Sequence, residues 1–259
     1  MTAPTYLPPV DKLLTYGDCR NFRNWPKYVK ELGLEAEHIP ELIRMATDPE
    51  LNWADSDSLD VWAPIHAWRS LGQLKAEAAI DPLLSIADEL EDSDWFNEDI
   101  PEVFAMIGPA AIPSAKTFLA DPSHTLYARV AVAECCVKIG QAHLDARADC
   151  VAAIQQQLDQ FAKNSPDFNG FLVADLLDLE AVEAAPSMER AFAARRVDLS
   201  FVGDWLDAQI ALGLKTRAQV YRLRHTVDAE QLGSKAAKPA PQPQGFGAAP
   251  TRSKKGKKK

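Results

Sequence analysis

Val61-Trp62-Ala63-Pro64-Ile65-His66-Ala67-Trp68-Arg69-Ser70-Leu71-Gly72, followed by Ala79-Ile80-Asp81-Pro82-Leu83-Leu84, is the stretch that decides the fold of this chain. It runs as an apolar helix, a Leu-Gly break, an Ala-Ile step and a second helix with proline in its first turn. Proline is tolerated there because the N–H it lacks has no intrahelical partner anyway. The pattern returns with Val103 to Ile107, Gly108, Ala111, Ile112 and Pro113, and a third break stands at Ile139-Gly140. The glycines at 72, 108 and 140 lie 36 and 32 residues apart, a period of the helical-repeat kind. One helix pair cannot hide both of its faces, so stacked pairs are expected to bury a continuous core.

Working outward, residues 10–16, 26–32 and 35–47 read as short helices. In the third of these, Ile39, Leu42, Ile43 and Ala46 form one apolar stripe. Asp48-Pro49 is expected to stop it, and Ser56 or Asp57 to cap the helix at 61–71. Its partner, 82–90, would be capped by Asp81. Further pairs are 100–107 with 113–119, 126–139 with 146–162, and 171–179 with 186–195, followed by helices at 201–212 and 217–227. Residues 126–139 are apolar almost all round, which places that helix in the interior. Period-2 runs and hairpin turns are lacking. The expected class is all-α: an α-solenoid domain over residues 1–232 and a disordered tail over 233–259.

The chain of 259 residues carries a net charge of −9. Residues 1–228 contribute −16 and residues 229–259 contribute +7. An acidic body argues against nucleic-acid binding by the folded part, because phosphate contacts need Lys and Arg. No uninterrupted apolar run reaches the length of a membrane span, and Met1-Thr2-Ala3-Pro4-Thr5 does not read as a secretory leader. Cys19, Cys135, Cys136 and Cys150 form no CxxC pair. Free thiols and a cytoplasmic location are the expectation.

Catalytic signatures are missing: there is no Gly-x-Ser-x-Gly, phosphate-binding glycine loop or His-Glu-x-x-His. Histidines stand singly at 38, 66, 124, 143 and 225. No catalytic residue, metal ligand or cofactor is expected. Candidate protein-binding residues lie in two acidic loops. The first, 51–60, carries Trp53, Asp55, Asp57 and Asp60 and runs into Trp62. The second, 89–99, carries Glu91, Asp92, Asp94 and Trp95. Indoles would give contact area and carboxylates orientation for a basic segment of a partner protein. The plainer reading is capping carboxylates with core tryptophans. A calcium loop does not fit, since Asp60 stands where the loop needs glycine and His66 where it needs glutamate. The tail ends in Lys254, Lys255, Lys257, Lys258 and Lys259. It could tether nucleic acid or the ribosome electrostatically, fold back on the acidic body, or only solubilise.

Leu71-Gly72…Ala79-Ile80-x-Pro82-Leu83-Leu84, with Ile107-Gly108…Ala111-Ile112-Pro113 and Asp121…Arg129-x-Ala131-x-Ala133, resembles the HEAT-like repeat of the phycobilisome-lyase type over residues 60–195. From His38-Ile39-Pro40-Glu41-Leu42-Ile43 onward the body is also similar to an uncharacterised bacterial and cyanobacterial family of HEAT-like proteins. The resemblance implies a scaffold that binds other proteins on a curved face. It implies as an alternative a lyase that attaches or removes a bilin chromophore. Some members of such families end in a zinc knuckle; residues 233–259 here hold no Cys or His, so none is expected.

Overall fold

A computed structural model describes residues 5–55 and 57–225. All regular structure among the described residues is helical. The Lys-rich tail and Ser56 lie outside the described residues. Contacts divide the chain into residues 1–216 and 217–259. Of the second unit, residues 217–225 form a helix.

The first unit opens with 3-10 turns at Val10–Thr15 and Cys19–Asn21, followed by α1 (Tyr28–Leu32), α2 (Ile39–Ala46) and α3 (Pro49–Asn52). Then come α4 (Ala63–Gln73), α5 (Ile80–Ser85), α6 (Asp94–Ile107), α7 (Ile112–Ala120), α8 (Leu126–Ala142) and α9 (Arg147–Leu158). α10 (Pro166–Asp178), α11 (Ala185–Ala193), α12 (Leu199–Val202) and α13 (Trp205–Ala211) complete it. Helices alternate between two rows. α2, α4, α6, α8 and α10 pack each on the next, and so do α5, α7, α9 and α11, while α8 also packs on α7 and α9. Between the rows runs a core of apolar side chains that includes Leu42, Trp68, Leu71, Phe104, Ile139, Val151, Leu172 and Met188. α8 is interior as its sequence requires: Ala128, Val132, Cys135, Cys136, Val137 and Ile139 are all 1% exposed or less.

The crossing between rows uses one recurring device. At the end of α4 the Ala76 N–H bonds to Leu71 O at 3.0 Å and the Lys75 N–H to Gly72 O at 2.9 Å, with Lys75 at φ 52°. α10 ends the same way, with Ala181 N–H on Leu176 O at 2.9 Å and Glu180 at φ 51°. This double closure satisfies the last carbonyls and turns the chain. A 3-10 turn follows, Glu77–Ala79 before α5 and Val182–Ala184 before α11, each ending on a fully buried alanine.

Several sequence expectations need correction. Gly72 and Gly140 are not breaks; they lie inside α4 and α8. A Cβ on Gly72 would stand 3.2 Å from Val103 Cα, and one on Gly140 2.9 Å from Leu179 Cδ2. Their role is close approach of neighbouring helices. Only Gly108 of the three ends its helix, at φ 98°. Asp81 does not cap α5, whose N-cap is Ala79. Asp48 does more than stop α2, since its side chain accepts from Glu50 N and caps α3, with Pro49 in the first turn. Ser58, not Asp57, caps the 3-10 turn Leu59–Trp62 that leads into α4. Residues 94–99 are not loop but the first turns of α6, because Ser93 Oγ accepts from Phe96 N and starts the helix early. The helix expected over 201–212 is two, α12 and α13, parted at Gly203 with φ 71°.

No single helix among the described residues is long and apolar enough to cross a membrane.

Candidate functional site: an acidic edge bearing tryptophans

The two acidic segments meet. Trp62, on the 3-10 turn Leu59–Trp62, stands edge-on to Trp95 in the first turn of α6, with ring centroids 5.6 Å apart and planes at 80°. Edge-to-face contact places the positive rim of one ring against the negative face of the other. Trp62 is 8% exposed, so it braces the edge more than it presents a surface. The Arg20 guanidinium lies 4.9 Å above its ring and grips Asp18, with Nη2 to Oδ2 at 2.6 Å. That pair holds the Asp18 carboxyl below its usual range.

Trp53 caps the carboxyl end of α3, which packs against the 59–62 turn. It is 67% exposed, and Leu59 is 52% exposed. Asp55, Asp57, Asp60, Asp92 and Asp94 are exposed and Glu91 is half-buried. Local duties are visible for some of them. Asp55 Oδ1 accepts from Asp57 N at 3.0 Å, and Asp94 stands at the amino end of α6 where the helix dipole favours an acid; at Glu91 it is the backbone carbonyl, not the carboxylate, that accepts from Asn97 Nδ2, at 2.8 Å. Among the described residues none of these six carboxylates forms an ion pair. The edge therefore carries uncompensated negative charge beside an exposed indole.

Asp99, at the far end of the second acidic segment, is a different case. It is 6% exposed and accepts from Arg69 Nε at 2.7 Å and Nη2 at 3.2 Å. Trp68 is core: 2% exposed, with Nε1 donating to Ala46 O at 3.0 Å. Nearby, Tyr28 Oη and His66 Nδ1 are 2.6 Å apart, and His66 Nε2 and Gly17 O 2.8 Å. With Nε2 protonated the ring donates to the Gly17 carbonyl and accepts from the tyrosine. Burial pulls its pKa down to about 4. Sequence reading missed the Arg69–Asp99 pair and the His66 anchor. The available signal was a charged or polar residue recurring inside an apolar helix stripe.

Elsewhere, His124 Nδ1 bonds Asp88 Oδ2 at 2.7 Å and stacks on Phe118, with centroids 3.6 Å apart, at a cleft of about 520 Å³. Ser85 in that cleft donates to Pro82 O at 2.7 Å. All four cysteines are buried thiols, and burial raises Cys19 and Cys150 to about 11. Among the described residues no group of three or more His, Cys, Asp or Glu could hold a metal ion. No protein-family model, no curated protein and no solved structure matches this chain.

Proposed function

We propose that the chain is an α-solenoid of HEAT-like helical hairpins that acts as a non-catalytic adaptor, docking a basic segment of another protein on its acidic edge. The two rows of alternating helices support the solenoid, since each hairpin buries its faces on its neighbours. The single observation that carries the docking is the Trp62–Trp95 contact. It joins two segments of unpaired carboxylates into one edge beside exposed Trp53. An exposed indole provides contact area at small entropic cost, and Lys or Arg of the partner would supply the counter-charge.

The test is fluorescence anisotropy with labelled peptides of matched length, one Lys/Arg-rich and one neutral. The basic peptide binds, and raising salt from about 50 to 500 mM weakens it at least tenfold, because exposed charges are screened beyond a few ångströms at high salt. Trp53→Ala weakens binding by about tenfold or more, and so does the combined Asp55→Asn, Asp57→Asn, Asp60→Asn change. Equal binding of the two peptides, or binding untouched by both variants, would remove the proposal.

A further inference from the structure

A second, oppositely charged site lies at the turns between α7 and α8 and between α9 and α10. A cavity of about 300 Å³ opens there, lined by Ala120, Pro122, Arg129, Gln156, Gln160 and Lys163 among others, with no acidic side chain among the described residues of its wall. In a body this rich in carboxylates that wall is unusual.

Arg129 is 9% exposed. Its Nε and Nη2 donate to Leu119 O at 3.2 and 2.7 Å, closing the carboxyl end of α7. The Gln157 amide lies 2.7 Å from Nη2, and the Phe168 ring lies under the guanidinium at 4.2 Å. These contacts fix the plane of the fork and leave Nη1 without an acceptor among the described residues. Among the described residues no carboxylate forms an ion pair with it. Asp121, whose charge reaches the guanidinium, is spent on Ser123 N and Oγ at 2.8 and 2.7 Å. The contrast with Arg69 is direct: that arginine, also buried, has Asp99 at 2.7 Å. Burial without a paired anion lowers the basicity of Arg129. A buried charge that lacks its counter-charge is costly, and a bound anion relieves that cost.

We propose that this cavity binds the phosphate group of a small phosphate monoester, with Arg129 Nη1 and the Lys163 ammonium as the two cationic donors. Phosphate gathers two negative charges on one compact group that two cations can share, whereas succinate spreads them over two separate carboxylates. With Nε and Nη2 held by Leu119 O, Nη1 is the guanidinium nitrogen left to donate to a phosphate oxygen. Gln156 and Gln160 offer amide N–H groups at the rim, Ala120 and Pro122 an apolar wall for the organic part. The volume is that of a small metabolite site.

The experiment is calorimetric titration of the full chain with inorganic phosphate, glycerol phosphate and succinate, ionic strength held constant with sodium chloride. Phosphate and its ester bind saturably at one site and raise the melting temperature as mass action requires. Lys163→Glu, at an exposed side chain, keeps the unliganded melting temperature and loses at least tenfold in affinity. Arg129→Lys keeps the charge but not the clamp on Leu119 O that orients the donor, and loses a similar factor. No saturable phosphate binding by about 10 mM, unchanged affinity in Lys163→Glu, or succinate binding as tightly as phosphate would each overturn the assignment.

Discussion

Tyr28, His66 and Gly17 tie the amino-terminal turns to α4 through one imidazole, and that link is sensitive to acid. His66 is fully buried and titrates at about 4 when folded, against about 6.5 when unfolded. Above pH 6.5 the ring is neutral in both states. Between 6.5 and 4 the unfolded chain takes up a proton that the folded chain refuses, so stability falls as pH falls. The whole window is worth about 3 kcal/mol. Chemical denaturation of the wild type and of His66→Gln from pH 7.5 to 4.5 should show a steeper acid loss in the wild type. Parallel curves would mean that His66 is not buried neutral. The sequence signalled only that a polar residue inside an apolar helix needs a partner; which partner it did not show. Tyr28 lies 38 residues away and is brought in by tertiary packing alone.

At the scale of the helix, the sequence revealed most of the elements and misjudged how they end. The prolines and apolar stripes marked α2, α4, α7, α8 and α11 because they act within one turn. The glycines misled because glycine serves two purposes, and a single sequence does not separate a left-handed residue from a close helix crossing. Lys75, Glu180 and Arg195 take the positive φ instead. At Gly72 the methyl of alanine would press on the Val103 backbone. Alanine gains about 1 kcal/mol of helix propensity and overpacking costs about 1–3 kcal/mol; the atom in the way is backbone, which gives less readily than a side-chain end, so the packing cost is expected to exceed the gain. Gly72→Ala should lower the melting temperature by a few degrees in a scanning calorimeter. An unchanged or raised melting temperature would show that α4 and α6 do not approach closely.

For the whole molecule, the all-helical class was legible in the sequence, because apolar helices that each expose a greasy face must pair with neighbours. Trp62 and Trp95 lie 33 residues apart, and stand side by side because the turn leading into α4 and the first turn of α6 belong to helices that pack together. What the sequence could not show was the division of labour among the acids. Asp99 turns inward to Arg69 while Asp92 and Asp94 stay in water, a choice made by the start of α6 at Ser93. Exposed Trp53 likewise could not be told from buried Trp68. The cavity at Arg129 was invisible for the same reason: its walls come from turns some 40 residues apart.

The docking edge is tested most directly by following the indole N–H signals of the six tryptophans in a nitrogen-15 correlation spectrum while a Lys/Arg-rich peptide is added. Docking on that edge gives saturable shifts at Trp53, with smaller ones at Trp62 and Trp95, and silence at Trp68 and Trp205. Shifts spread evenly over all six, or confined to tryptophans off that edge, would contradict it.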